Sequence, residues 1–439
     1  MRDVPITSAQ QFVYSVIEQV GPEAPALYVT ASVLIKGPVD IERFQRATAI
    51  LADRIPILRA VLEVKQGSPV QRLGKGGPVL QVAEESSADE RLASSILSKK
   101  ADEPINVFTG SPLRIFILTT GPDRTFLLLV GHHLFLDATA LFTTLGEYLR
   151  IYADVAERGR SVIAGSDSNP DYFEYAELEQ KMMLDGTYES YSRFWLRELE
   201  NADPGLHFRG RGRDPEIEAP VFMPFRIGQE LFAAMGEHAA RAGVSIFTII
   251  SNSILHTLWE FVVQESLVLA VVSDTRRPPF HKTVGQFADI FVICQSKYDR
   301  GLDVRALRLL ANKLQGAMVN RVPGTYFRKD LPWLQERVTK GNTRSDLFIN
   351  YLPKVVRVEG LSKILGCEIT PFPLLDRSVG EKSRFCGSVM GFNLWPGAPG
   401  KAPLSGTIRY DSGVVKDSVA RAIKDLWMNN LGQLELLVS

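Results

Sequence analysis

Two adjacent histidines followed four residues later by an aspartate, in the segment His132-His133-Leu134-Phe135-Leu136-Asp137, are the strongest candidates for chemistry in this chain. The chain holds six histidines in all, and the apolar run Phe126 to Val130 leads into this pair. A histidine at a strand end can present one ring nitrogen to a nucleophile while a backbone carbonyl holds the other, which leaves a neutral imidazole near its working pKa. That is the equipment of a general base. Neighbouring side chains in extended backbone point to opposite faces, so His133 is assigned to the site and His132 to structural support. Asp137 could complete a dyad or face inward and pair with an arginine. The second role is preferred, because a buried carboxylate needs a charge-assisted partner. Arg276, in Ser273-Asp274-Thr275-Arg276-Arg277-Pro278, is the favoured one. The competing structural reading is a chance meeting of two core histidines and a helix-capping aspartate.

The elements around these residues follow from periodicity. Leu113 to Thr119 and Arg124 to Gly131 read as strands separated by the turn Thr120-Gly121-Pro122-Asp123, so the second strand delivers the histidines. Asp137 can cap a helix from about Ala138 to Ala153, whose Leu141, Leu145, Tyr148, Leu149 and Tyr152 share one face. The histidines are therefore expected in a strand-to-helix loop. Upstream, Ile41, Phe44, Ala47, Thr48 and Leu51 mark an amphipathic helix, followed by a strand from Ile57 to Val64. In the second half a helix from about Ser245 to Val263 leads into the β-branched run Ser266 to Ser273, the same outline again. Residues 159–171, rich in Gly, Ser, Asp and Pro, are expected to connect two α/β lobes, 1–170 and 171–439.

Composition bounds the function classes. A chain of 439 residues is long for one core and suits two lobes of roughly 200 residues each. Hydrophobic residues at 45% and charged residues at 23% are the balance of a globular protein. Lys plus Arg and Asp plus Glu are 50 each, so no global field draws in nucleic acid or an anionic membrane. Cys294, Cys367 and Cys386 are an odd number without metal-ligand spacing, so neither a disulfide scaffold nor a metal site is expected. With no leader and no apolar run near membrane-spanning length, a cytoplasmic chain is expected.

The segment His132-His133-Leu134-Phe135-Leu136-Asp137-Ala138 resembles the HHxxxDG signature of condensation domains from nonribosomal peptide synthetases, with Ala138 in place of the usual glycine. Further segments resemble family landmarks in the family's order. Ser8-Ala9-Gln10-Gln11-Phe12-Val13-Tyr14 is similar to SxAQxRLW, and Arg54-Ile55-Pro56-Ile57-Leu58-Arg59-Ala60 to RHExLRT without its His and Glu. Pro112-Leu113-Arg114 matches PLR, Tyr172-Phe173-Glu174-Tyr175-Ala176 resembles YxDYA, and Phe194-Trp195-Leu196 resembles FWxxxL. In the second half, Val284-Gly285-Gln286-Phe287-Ala288-Asp289 is similar to VGxFxN, and Asp330-Leu331-Pro332-Trp333 to DxPFE.

The resemblance implies an α/β fold, an α+β sandwich, built as two chloramphenicol-acetyltransferase-like lobes in a V-shaped pseudodimer with a tunnel between them. It implies an acyltransferase that moves an acyl group from a carrier-protein thioester to an amine or hydroxyl in natural product (antibiotic) biosynthesis, with His133 as base or positioning residue. No cofactor is expected on the chain itself, since the phosphopantetheine arm belongs to the acyl or peptidyl carrier protein. The acceptor would be a small molecule or a second carrier-bound group, and the protein a monomer. Gly285 is expected to permit close approach of a loop beneath the channel. Asp289 would meet a substrate cation or, by preference, be solvated or paired with an arginine. Trp395, in Phe392 to Gly397, would belong to a latch or to a plain surface loop. Arg59 and Arg114 are expected in salt bridges within their lobe, and His207, His238, His256 and His281 in structural roles.

No adenylation signature, nucleotide-binding glycine loop or carrier-type serine is present, so a free-standing member is expected. Ala140-Leu141 stand where epimerizing relatives tend to place Ser-Trp, which disfavours that activity. The alternatives are a noncatalytic carrier-binding module and an acyltransferase using acyl coenzyme A.

Overall fold

The computed structural model describes residues 3–86, 89–158, 170–200, 202–209, 220–322, 331–339, 345–352, 363–364, 366–372, 374, 388–396 and 403–436. The chain forms two compact units, but not the contiguous halves 1–170 and 171–439. The first unit comprises residues 1–186 together with 274–288 and 356–379, and the second comprises 187–273, 289–355 and 380–439. Two later segments thus return to the first unit, which linear reading from a single Gly/Ser-rich connection does not anticipate. Most of that connection, residues 159–169, lies outside the described residues.

The first unit is built on a six-stranded sheet in the spatial order Lys363–Ile364, Cys367–Pro371, Tyr28–Lys36, Arg124–His132, Leu113–Thr119, Val79–Glu84. Leu113–Thr119 and Arg124–His132 form an antiparallel hairpin, and Val79–Glu84 joins its edge in parallel. The two hairpin strands are buried along nearly their whole length, which explains why they read as continuous apolar runs and not as alternating ones. Helices Ile41–Arg54 and Ala138–Arg158 pack against each other beside this sheet. Their contact stacks Phe44 on Tyr152 with ring centroids 4.1 Å apart. The buried Tyr148 hydroxyl is satisfied by Thr48 Oγ1 at 2.9 Å and by donation to the Phe44 carbonyl at 3.0 Å. The strand expected from Ile57 begins later: Pro56–Arg59 is a 3-10 turn, and the strand is Ala60–Lys65. Pro56 fixes the first turn and contributes no N–H to a sheet.

The second unit carries its own six-stranded sheet, ordered Ala288–Ser296, Ser266–Asp274, Leu347–Tyr351, Met390–Pro396, Leu404–Tyr410, Val221–Ile227. Helix Asp417–Leu436 covers it through Trp427, a fully buried ring packed edge-on against Phe225 and Phe392. The indole N–H donates to Ser253 Oγ at 2.9 Å, so the largest buried side chain of this core leaves no polar atom unpaired. Ser245 caps helix Ile246–Leu258 by accepting from the Thr248 N–H. This helix is buried nearly all round, and its buried Asn252, Ser253 and Thr257 side chains donate to the carbonyls of Gly301, Ile250 and Ser253.

Candidate active site

Strand Arg124–His132 pairs with Tyr28–Lys36 in a register that sets His132 opposite Tyr28. The chain then leaves the sheet in one turn, with the N–H groups of Phe135 and Leu136 both donating to the His132 carbonyl at 3.0 Å. The His132 N–H donates to Pro112 O at 2.8 Å and the His133 N–H to Leu27 O at 2.7 Å. Pro112 and Leu27 thus clamp the pair from both sides.

The two rings have different fates. His132 is fully buried, its Nε2 donating to Pro22 O at 2.9 Å and its Nδ1 accepting from the Leu134 N–H at 3.1 Å. Those partners define one neutral tautomer, because a backbone N–H can only donate and a carbonyl can only accept. Burial pushes the His132 pKa down to about 4, against an opposing pull from the Pro22 carbonyl. The folded chain therefore binds fewer protons than the unfolded one between about pH 4 and the ordinary histidine value of 6.5. Stability should be complete above pH 6.5 and fall as the pH is lowered, by a total of about 3 kcal/mol from this residue alone. Urea unfolding at pH 7 and pH 4.5 should show the lower midpoint at pH 4.5, and replacement of His132 by Gln should flatten that dependence.

His133 is only partly buried, although its Nδ1 is shielded from solvent and has no hydrogen-bond partner among the described residues. Burial lowers its pKa below the usual histidine value, while its own carbonyl, Asp137 and the Gln286 side chain oppose that shift. The ring is neutral at pH 7.

Asp137 ties this loop to residues 274–288. Its Oδ1 accepts from Arg276 Nη2 at 2.9 Å and from the Ala140 N–H at 2.7 Å, the second being the cap of helix Ala138–Arg158. Its Oδ2 accepts from the N–H groups of Phe287 at 2.8 Å and Ala288 at 3.2 Å. Side-chain exposure of Arg276 and Asp137 is 5% and 4%, so the pair is desolvated and depends on these additional bonds. Arg276 also donates to Asp274 Oδ1, Thr283 O and Gly285 O, and its guanidinium lies 4.4 Å from the centre of the Phe287 ring. The inward orientation of Asp137 leaves no carboxylate oxygen for a dyad with His133.

Gly285 sits where the Tyr172 ring packs flat against the chain. A Cβ at Gly285 would lie 2.0 Å from Tyr172 Cδ2, within the ring's own volume. Gly285→Ala should therefore displace Tyr172 and cost about 1–3 kcal/mol, read as a fall in the urea midpoint with little change in slope. The Tyr172 hydroxyl donates to Gln286 O at 2.5 Å, and since it has one proton, Thr7 Oγ1 must donate to it across their 2.8 Å contact.

Ala138 opens its helix without a positive φ, since Gln66 is the one non-glycine residue with that conformation among those described. The glycine of the resembled signature is not required by the backbone here. Asp289, on strand Ala288–Ser296, accepts from the Ile290 N–H at 2.7 Å and belongs to the second unit. Trp395 lies on strand Met390–Pro396, opposite Ser405, so Phe392 to Pro396 are sheet residues, which removes the plain surface loop from the two expectations for this segment; Gly397 lies outside the described residues. Arg114 makes no ion pair among the described residues. Its guanidinium donates to the carbonyls of Lys100, Glu103 and Pro104, which correct the salt bridge expected for it. Arg59 does contact Asp53, at 3.5 Å. His207 pairs with Asp203 at 2.7 Å in the second unit. No cluster that could hold a metal ion is found among the described residues. No described helix is long and apolar enough to cross a membrane.

Thr7, Tyr172 and Gln286 were not singled out by sequence reasoning, though each lies in or beside a quoted landmark segment. Their common signal is that small and aromatic polar residues there fall among apolar ones, which is weak until the partners are known.

Comparison with known proteins fits this geometry. The condensation domain family model matches residues 1–294. Tyrocidine synthase 3 of Brevibacillus parabrevis is 23% identical over 293 residues, which cover 66% of this chain and 4% of that protein. Phosphinothricin tripeptide synthetase PhsC of Streptomyces viridochromogenes is 24% identical over 295 residues, covering 65% of this chain and 27% of that one. The chain thus spans a small part of the curated relatives it matches. Among solved structures, the X-domain from teicoplanin biosynthesis is similar with a TM-score of 0.79 at 14% identity, over 99% of this chain and 95% of that one. SgcC5 from Streptomyces globisporus is similar with a TM-score of 0.76 at 17% identity, over 98% of both chains. These likenesses place the two units in the chloramphenicol-acetyltransferase-like fold of condensation domains. With a family model covering well over half its length and the HHxxxD segment at the strand end where the structure clamps it, the chain belongs to the condensation domain family.

Proposed function

We propose that this chain is an acyltransferase that forms an amide, or an ester, by moving an acyl group from a carrier-protein thioester to an amine or hydroxyl acceptor. The observation that carries this reading is the contrast between the two histidines. His132 has both ring nitrogens committed to backbone, whereas His133 remains partly exposed, neutral, and anchored through its own N–H and the Asp137–Arg276 pair. In the proposed step the acceptor nitrogen or oxygen attacks the thioester carbonyl. His133 accepts or orients the proton lost from the acceptor, and collapse of the tetrahedral intermediate expels the thiol of the carrier's phosphopantetheine arm, which takes that proton back. The donor arm is substrate and not a resident group of this chain. Positioning and base catalysis both use the same placement of His133.

A second reading has an observation of its own: the X-domain from teicoplanin biosynthesis, which shares the fold, is known in complex with OxyB. On that reading the chain binds a protein partner and transfers nothing. The starter condensation domain of rhizomide synthetase, solved with C8-CoA, likewise gives the acyl coenzyme A donor its place in the test. The protein is incubated with acyl-loaded carrier or acyl coenzyme A and a panel of amines and alcohols, and products are read by mass spectrometry. Amide or ester from the carrier-bound donor is expected. Product only from the coenzyme A donor would replace the donor class, and carrier binding without product from any acceptor would favour the binding module.

A further inference from the structure

Parallel strands Leu347–Tyr351 and Met390–Pro396 pair with Asn350 beside Asn393, and antiparallel Leu404–Tyr410 sets Thr407 beside Asn393 on its other side. Residues paired across neighbouring strands project to one face. The three polar side chains therefore form a row across the second unit's sheet, about 4.8 Å from one strand to the next. The residues next to them in sequence point the other way. Phe392 packs on Trp427 of helix Asp417–Leu436, and Tyr351 stacks on Phe247 of helix Ile246–Leu258 with ring centroids 5.6 Å apart, so these helices cover the face opposite the row. Asn350, Asn393 and Thr407 are each partly exposed, while their neighbours Ile349, Phe392, Leu394 and Ile408 are buried. None of the three side chains makes a hydrogen bond among the described residues, and Asn350 Oδ1 is buried without a partner. Asparagine is depleted in strands, and two side by side on interior strands of a sheet go against both strand preference and the pairing of buried polar atoms. Neither the helix-covered core nor the backbone ladder uses these side chains.

We propose that Asn350, Asn393 and Thr407 are a recognition row for a neutral amide carried by the substrate, in its acyl group or in its acceptor. The row holds no charge. Arg409, two residues beyond Thr407 on the same face, is buried and donates to Ser388 O and Oγ, both at 3.0 Å. Each carboxamide offers two N–H donors and a carbonyl acceptor, and the threonine hydroxyl offers one donor and an acceptor. That set matches the single donor and acceptor of an amide and leaves a carboxylate or ammonium without a counter-charge. Trp395, also partly exposed, stands two residues beyond Asn393 on the same face and adds an aromatic surface beside the row. An aliphatic chain laid there would take water from the row and return no hydrogen bond, so the row rejects such a chain as well as binding an amide. The inference rests on the proposed acyl transfer for naming the ligand a substrate, yet the binding preference exists whether or not the chain turns anything over.

The test titrates the full chain, labelled with nitrogen-15 asparagine, with two isosteric pairs of probes. The S-ethyl thioesters of N-acetylglycine and of pentanoic acid place or omit an amide in the acyl group, and glycinamide and isobutylamine do the same in the acceptor. The side-chain NH2 signals of Asn350 and Asn393 are identified by their loss in Asn350→Leu and Asn393→Leu. In at least one pair the amide member should bind about tenfold more tightly and shift both signals, and the pair that shows it identifies the source of the amide. Asn350→Leu, Asn393→Leu and the isosteric Thr407→Val should each pull that ratio toward one. The urea midpoint should stay level or rise, because each change removes an unpaired polar group and leaves no void. Equal binding of both members of each pair by the wild type, or binding of neither, would overturn the proposal. A ratio kept in all three variants would do the same, by assigning the preference to other residues, and lowered midpoints with that ratio kept would make the row structural. A preference in binding without amide or ester formation from any donor would instead sink the acyltransferase reading and leave the row standing as a binding site.

Discussion

Replacing His133 by alanine is expected to lower the rate of product formation by about 10² to 10⁴-fold, the range for a positioned general base, or roughly 3–5.5 kcal/mol of barrier. The loss should fall on kcat rather than KM, since the ring makes its strongest interaction when the acceptor proton is in transit. Folding should be little affected. The residue is anchored through its backbone N–H to Leu27 O, which alanine keeps, and its ring is only partly buried. The measurement is single-turnover transfer from a loaded carrier, with unfolding in urea run in parallel. Equal rates in variant and wild type would remove His133 from the chemistry and leave alignment of donor and acceptor as the whole of the catalysis. A loss at the low end of the range would point to positioning, and one at the high end to proton transfer.

Replacing Asp137 by alanine is expected to act in the opposite order, on structure first and on rate through it. The carboxylate holds Arg276, two N–H groups of residues 287 and 288, and the cap of helix Ala138–Arg158. Its removal strands a buried guanidinium and unpairs backbone donors, at a cost of about 3–5 kcal/mol, or roughly two to four orders of magnitude in the folding equilibrium. The check is a urea unfolding curve together with the double variant Asp137→Ala, Arg276→Leu. The double variant should recover part of the loss, because the lone buried charge is gone. If the single variant unfolds at the wild-type midpoint, the pair carries no structural weight and the inward role of Asp137 fails. A larger effect on rate than on stability would put Asp137 at the reacting atoms, against the geometry, in which both of its oxygens are engaged elsewhere.

These two expectations differ in how far they could be read from residue order. The helix Ala138–Arg158, the hairpin Leu113–Thr119 and Arg124–His132, and the strand-end placement of His132 and His133 follow from local pattern, because an apolar run, a Gly-Pro turn and a capping aspartate act within a few residues. The pairing of Asp137 with Arg276 was reachable only as a preference, by asking which distant cation a buried carboxylate would need. Strand Met390–Pro396 was missed as a strand because its apolar run is brief and ends in Pro396-Gly397, the composition of a turn. Arg114 was misassigned because an arginine's partners are read by default as carboxylates, while the fold offered three carbonyls at a helix end.

The sequence by itself determined the type and spacing of the reactive groups and the elements that present them, since those depend on contacts between near neighbours. Tertiary structure alone decided that residues 274–288 join the first unit, that Tyr172 lies flat on Gly285, and that the Tyr172 hydroxyl donates to Gln286 O. Those contacts bring together residues more than a hundred positions apart. No local periodicity records such a pairing, because it is selected by the packing of whole elements and by the need of each buried polar atom for a partner.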